Sequence, residues 1–219
     1  MGKCQSNVKL SCFNAEITSL IPKPVGNATM LDLGCGNSPH KQACIAKGYK
    51  YVGIDCDSKV EAMFLCDAHY LPFKNECFNL ILSTAVIEHL RYPPVAMQEA
   101  NRVLKPNGTF IGSAAFQEPF HGNSYTHYTH LGLTDLFQNA EFTIELLGAN
   151  IRWNMLTAHA SMSLFPGMPL VLTRILVAPL NMLHKLWWKI GSKIKPDKLN
   201  EQKRLAWTAG AFLFKLRKP

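Results

Sequence analysis

Along this chain, short apolar runs end abruptly at an acid, a glycine or a proline, and they alternate with segments of helical character. The runs ATMLDL (28–33), YKYVGID (49–55), EAMFLCDA (61–68), FNLILSTA (78–85), GTFIGSAA (108–115), FTIELLGA (142–149) and AGAFLFKLRK (209–218) each read as a strand. The near-continuous apolar character of the first runs suits strands covered on both faces, as in a parallel sheet. Between them, Pro39 can open a helix where its missing N–H costs nothing, and Gly48 closes it. Pro94 to Leu104 reads as a helix stopped by the turn Lys105-Pro106-Asn107-Gly108, and Leu131 to Asn139 as another. Strands alternating with helices predict an α/β, Rossmann-like, mostly parallel sheet with helices on both faces. A single domain over 1–219 suits the length, and no internal repeat or low-complexity tract is present.

The stretch MLDLGCGNSPHK (30–41) places two glycines directly after the first strand. In an open parallel sheet, ligands bind beyond the carboxyl ends of strands where the strand order reverses, and glycines there admit a close approach. Gly34 and Gly36 alone fit a tight turn equally well. A dinucleotide fingerprint would need a third glycine, where this chain has Pro39, which argues against a nicotinamide-dependent oxidoreductase. Spacing adds more: Asp55 ends the second strand about twenty residues on, where a carboxylate can accept from both hydroxyls of a ribose. Asp67 ends the third, placed to accept from an exocyclic amine.

Taken in order, LDLGCG, GIDCD, CDAHYLPF, FNLILSTAVIEHL and RVLKPNGTFIGS resemble a class I S-adenosylmethionine-dependent methyltransferase, of the small-molecule branch often called type 11. The resemblance covers roughly residues 28 to 148. It implies a seven-stranded sheet with the last strand antiparallel and S-adenosyl-L-methionine as cofactor. Asp32, Gly34, Cys35 and Gly36 would border its methionine part, Asp55 with Cys56 and Asp57 its ribose, and Asp67 with Ala68 its adenine. Ser83 and Thr84 would face the sulfonium. Asn79 stands where the family usually has Asp, a position at the strand entry rather than at the cofactor.

Methyl transfer is an in-line displacement, so a protein's main contribution is alignment and exclusion of water. A hydroxyl acceptor also wants a base near neutral pH, for which histidine fits best. His89 in AVIEHL is one candidate, with a packing role as the other reading. The run FQEPFHGNSYTHYTHLGL (116–133) supplies His121, Tyr125, His127 and His130, either on a plain surface loop or over the acceptor. His127 and His130 sit three apart, but no carboxylate or thiol set lies at ligand spacing, so no metal is expected. The same run resembles, more loosely, methyltransferases of glycan pathways, which makes a sugar or lipid-linked glycan hydroxyl a candidate acceptor. Base-methylating enzymes carry an Asn/Asp-Pro-Pro-aromatic element after the fourth strand; Ser83-Thr84-Ala85-Val86 lies there instead, so no nucleic-acid substrate is expected.

Charge and cysteine content refine this picture. From Asn181 onward ten Lys/Arg face only Asp197 and Glu201, which accounts for the entire net charge of +8. The domain itself is neutral, which also disfavours a nucleic-acid surface. All seven cysteines precede residue 78, with no CxxC pair, and the N-terminal stretch has no apolar core of a signal peptide. Reduced thiols in a cytoplasmic protein are expected; MGKCQS resembles a myristoylation signal only loosely.

Before the last strand lies a helical insertion, 155–205, that includes SLFPGMPLVLTRILVAPLNMLHKLWWKIG (163–191). Three prolines and Arg174 speak against a membrane span, and predict two helices split near Pro179. These would cap the pocket, add core or form a homodimer face. The alternative is contact with a membrane surface through 160–191, since Trp187-Trp188 followed by spaced lysines is an interfacial pattern. The leading functional expectation is thus a methyltransferase acting on a small molecule. A cofactor-binding subunit without catalysis is the second reading.

Overall fold

The sheet is built on β2 (Thr29–Leu33), whose residues are almost all buried, flanked by β3 (Lys50–Asp55) on one side and β5 (Phe78–Thr84) on the other. In this computed structural model residues 9–13, 16–119 and 121–219 are described; MGKCQS and Cys4 lie outside the described residues. The remaining strands are β1 (Ser11–Phe13), β4 (Phe64–Leu65), β6 (Leu104–Ala115), β7 (Thr143–Asn150) and β8 (Ala211–Arg217). Their order is β1-β7-β8-β6-β5-β2-β3-β4, with β8 antiparallel to both β6 and β7 and every other pairing parallel. The chain lays down β2, β3 and β4 in one direction, then restarts with β5 on the other side of β2. That reversal leaves a crevice beyond the carboxyl ends of β2 and β5.

Side chains alternate across the sheet with period two, so each strand feeds two cores. Leu31, Leu33, Ile81, Phe110, Phe212 and Phe214 pack on the face covered by α2 (Pro93–Val103) and α3 (His130–Asn139). Met30, Leu80, Leu82, Ile111 and Leu213 pack with Ile17, Ile21 and Cys44 on the other, where α1 (Lys41–Ala46) lies. Full burial of each such side chain contributes about 1.5–3 kcal/mol.

Three expectations need correction. The sheet has eight strands among the described residues, because Ser11–Phe13 pairs in parallel with the outer edge of β7. The third expected strand shrinks to Phe64–Leu65, whose side chains are both exposed and bury little to stabilise a longer pairing. The turn at 105–108 sits inside β6: Phe78 pairs with Leu104 and Leu80 with Thr109, so the intervening residues bulge out, Asn107 at φ +60°.

The insertion departs further from expectation. It comprises α4 (Met155–His159), a π-helical turn (Ala160–Leu164), α5 (Leu170–Ile194) and α6 (Glu201–Thr208). Pro179 does not split α5, which runs through it as one helix about 37 Å long. Nor does the helix add core. It rests on the domain through a narrow stripe that includes Thr173, Asn181, His184, Trp188 and Gly191; Asn154 Nδ2 donates to Asn181 Oδ1 (3.0 Å), and Trp188 meets Trp207 edge-on. Its apolar face points away: Leu172, Ile175, Leu176, Leu180, Leu183, Leu186, Trp187, Ile190 and Ile194 are all exposed. No helix of the described residues is long and apolar enough to cross a membrane.

Candidate active site

After β2 the chain turns sharply, with the N–H groups of Gly34 and Cys35 both donating to the Ile54 carbonyl at 2.9 Å. Gly34 (φ +72°) and Gly36 (φ +50°) occupy the left-handed region, but they are glycine for different reasons. A Cβ on Gly34 would lie 2.4 Å from Val86 Cγ2, so this glycine lets the loop after β5 pack against the turn. A Cβ on Gly36 would meet nothing within 4 Å and would project into open space. The Gly36 N–H donates to Asp55 Oδ2 (2.8 Å) and the Asp57 N–H to Asp55 Oδ1 (2.9 Å). Each Asp55 oxygen keeps a second lone pair for another donor.

Asp32, one residue before the end of β2, is a buried carboxyl with a single side-chain donor, Tyr51 Oη at 2.6 Å. Burial, only partly offset by that bond and reinforced by the nearby Asp55 charge, pushes its pKa up from 3.8 to about 6. Cys35 is buried beside Gly53 and does not open to the crevice, and burial raises its thiol. Cys56 and Asp57 are exposed.

Asp67 is also exposed. It accepts from the His69 N–H (2.9 Å) and pairs with His69 Nδ1, which together hold its carboxyl below the usual range. Because His69 Nε2 accepts from the Tyr92 N–H (3.1 Å), the imidazole carries its proton on Nδ1 and donates it to Asp67. The following Leu71-Pro72-Phe73 segment is clamped by α2. Glu99 accepts from the Leu71 N–H, and Arg102 donates to the carbonyls of Leu71 (2.9 Å) and Phe73 (2.8 Å). Ala68 packs against the core beneath.

At the end of β5, Ser83 is fully buried with no hydrogen-bond partner for Oγ, and Thr84 is half-buried. Ala85 then adopts φ +54°, a conformation that costs a non-glycine residue about 1–2 kcal/mol. The strain turns the chain into a 3₁₀ turn, Ile87–His89, directly against the glycine loop. Comparisons with known proteins bear on this arrangement. Residues 31–112, the stretch holding the glycine turn, Asp55, Asp67 and this strained loop, match the family model of a methyltransferase domain. Residues 31–112 thus resemble a methyltransferase domain, and the chain has the fold of S-adenosylmethionine-dependent methyltransferases.

An uncharacterized methyltransferase of Mycobacterium leprae is 30% identical over 120 residues, 48% of this chain and 44% of that protein. The human mitochondrial 2-methoxy-6-polyprenyl-1,4-benzoquinol methylase is 35% identical over 85 residues, 39% and 22% of the two chains. The chain spans less than half the length of these curated relatives. Among solved structures, an S-adenosylmethionine-dependent methyltransferase of Mesorhizobium loti shares the fold with TM-score 0.56 at 13% identity, covering 92% of this chain and 95% of that one.

The candidate acceptor-side residues lie on the loops after β5 and β6. The Glu88 carbonyl accepts from the N–H groups of Tyr125 (2.7 Å) and Thr126 (3.2 Å), which ties the two loops together. The His89 and His121 rings meet edge-on with centroids 5.1 Å apart, and the His121 and His127 rings lie 5.9 Å apart. Tyr125 contributes its backbone, while its side chain is exposed. His130 opens α3 and packs on the core ring of Phe212. Two acids join the histidines: Glu88, next to His89 in the run AVIEHL, and Glu118, which the sequence did not single out. Glu88 is fully buried, and Glu118 accepts from Trp153 Nε1 (2.6 Å) beside His121. Burial raises both carboxyls, whereas burial and then His121 lower the pKa of His89. The only hint in the sequence was acids set within apolar and histidine-rich stretches.

Two predictions follow from the turn. Gly34→Ala should destabilise the fold by about 1–3 kcal/mol through overpacking against Val86, whereas Gly36→Ala should lose only the left-handed penalty and instead weaken S-adenosylhomocysteine binding. Equal losses of stability in denaturant titrations would contradict the distinction. For Asp32, a folded pKa above the unfolded one means that its contribution to stability is full below pH 4 and is lost as pH rises through about 6. Asp32→Asn should therefore gain up to about 3 kcal/mol relative to the natural chain at pH 8 and nothing at pH 4. A stability difference independent of pH would show that Asp32 ionises normally.

Proposed function

We propose that this chain binds S-adenosylmethionine at the carboxyl ends of β2, β3 and β5 and transfers its methyl group to a hydroxyl of a small-molecule acceptor held at an anionic membrane surface. The binding half rests on Gly36: an open glycine whose N–H anchors Asp55, with two carboxylate lone pairs left for ribose hydroxyls. When bound there, the cofactor supplies an activated methyl group on a sulfonium. In this reading Asp32 borders its cationic methionine end, where a positive neighbour would ease the ionisation that burial opposes. Asp67, held by His69, would take the adenine amine.

On the acceptor side, the chain must align a hydroxyl and accept its proton. His89 suits this, since its lowered pKa keeps the ring neutral near pH 7 with a lone pair available. A sugar or lipid-linked glycan hydroxyl is the acceptor class that the loop 116–133 supports by resemblance. The membrane half rests on α5. Its outward apolar face is bordered by Arg174, Lys185, Lys189 and Lys193, an arrangement that suits anionic lipid better than an apolar partner. Beside it a cavity of about 360 Å³ is lined by Arg152, Arg174, Asn181 and Lys185, donors suited to a phosphate headgroup. That one relative is named for a polyprenyl quinol substrate agrees with a lipid-borne acceptor.

Isothermal titration with S-adenosylhomocysteine should show binding, and NADH none; Asp55→Asn should weaken the former at least about tenfold, since hydrogen bonds to a charged acceptor contribute about 1.5–3 kcal/mol each. Binding of NADH instead would revive the oxidoreductase. Methyl-labelled cofactor given with membrane lipid extract should put label in the organic phase. Binding without transfer to any fraction would favour the non-catalytic subunit.

Sedimentation with vesicles tests α5 separately. Anionic vesicles should pull the chain down, less so at high salt, because each lysine near such a surface contributes about 1 kcal/mol that salt screens. Leu183→Glu with Trp187→Glu should abolish binding without loss of fold, as both side chains are already exposed. A chain that stays in the supernatant and sediments alone as a dimer would make the same face a homodimer contact.

A further inference from the structure

Glu88, His89 and His121 each offer a ligand atom, and these atoms all lie within 4.8 Å of one another. Glu88 has no exposed surface, and neither of its carboxylate oxygens has a hydrogen-bond partner. The N–H groups of Glu88 itself and of Ala115 come near without completing a bond. A buried carboxyl left in this state is costly unless a proton or a cation satisfies it. The two histidines are prepared as ligands. His121 Nδ1 lies 3.1 Å from the Pro119 carbonyl, which fixes the neutral tautomer and leaves the lone pair on Nε2. Glu118 stands behind the same nitrogen at 3.7 Å and is itself held by Trp153. The Asn123 backbone lies near the His89 ring.

We infer that Glu88, His89 and His121 form a binding site for a first-row divalent transition ion at the acceptor side of the crevice. Two imidazoles and one carboxylate select an ion of the zinc, cobalt or manganese kind over magnesium or calcium, which prefer all-oxygen shells. Bonds of about 2.0–2.2 Å bring ligand atoms to about 3–3.5 Å from one another, so the widest pair needs to close by at most about 1.3–1.8 Å. Such a set leaves coordination positions open, and water or an acceptor hydroxyl is what an ion takes there. His89 would then act as a ligand, and the ion would do the work assigned above to its free lone pair. The chain's linear spacing hid this site, because Glu88 and His121 lie on separate loops that the Tyr125 and Thr126 amides tie together.

The test uses the full chain, stripped with a chelator and titrated with Co²⁺ in the absence of cofactor and acceptor, so its outcome is independent of the methyl-transfer reading. One equivalent should bind and give visible d–d absorption without the near-ultraviolet bands of thiolate ligation, and Zn²⁺ should displace it. Glu88→Gln and His121→Ala should each weaken binding at least about tenfold, while His159→Ala on α4 should leave it unchanged. Thermal melts establish that the variants fold; if Glu88→Gln does not, the partly exposed His121 decides. Absence of saturable binding, thiolate bands, or undiminished affinity in His121→Ala would overturn the inference.

Discussion

The bond from the Gly36 N–H to the Asp55 carboxylate holds this site in place. It joins the turn after β2 to the end of β3, alongside the parallel ladder, the Ile54 carbonyl and the Tyr51 hydroxyl, which reaches Asp32 and Ser38. A side chain at Gly36 would project into open space, so the tie is made by its N–H and not by packing. The requirement passes backward along the strands. Asp55 must end β3 one residue beyond the partner of Leu33, and the register Leu33↔Ile54 provides this. Gly34 must admit Val86, which positions the strained Ala85 turn, and that turn delivers Glu88 and His89 to the crevice. One hydrogen bond therefore ties the glycine turn to β3, and one close packing contact relates that turn to the loop after β5.

The insertion follows a different logic. Helices on this sheet normally bury their apolar stripe, as α2 does with Ala96, Met97, Ala100 and Val103. By contrast α5 buries Thr173 and Gly191 and turns leucines, isoleucines and Trp187 outward. Exposed apolar surface on this scale demands a partner. The charge excess of the chain is concentrated beside it, so one segment supplies both apolar burial and electrostatic attraction. Placing that segment between β7 and β8 keeps it covalently close to the sheet but away from the glycine turn.

Much of the fold was legible because it depends on local signals. Strand runs ending at Leu33, Asp55 and Thr84, with glycine and proline punctuation, mark buried parallel strands wherever they occur, and the order of five motifs pointed to the stretch that matches a methyltransferase domain, residues 31–112. The short β1 was illegible because its pairing with β7 is decided by the far end of the chain. The continuity of α5 through Pro179 was misread because a proline's effect depends on whether neighbouring bonds hold the helix together. At the site, the roles of Gly34 and Gly36 look identical in sequence and separate only when Val86 is seen beside one of them. Glu88 was visible as a letter, but its burial without a partner is a property of three loops packed together.

The central claim is that the glycine turn and the Asp55 end of β3 form one ligand-binding unit. Hydrogen exchange of the full chain, with and without S-adenosylhomocysteine, tests it most directly. The account predicts slowed exchange confined to amides of residues 34–38, 55–59 and 67–69 and the loop 85–89, with residues 170–194 unchanged. Protection confined to the insertion, or none at the turn despite saturating ligand, would contradict it.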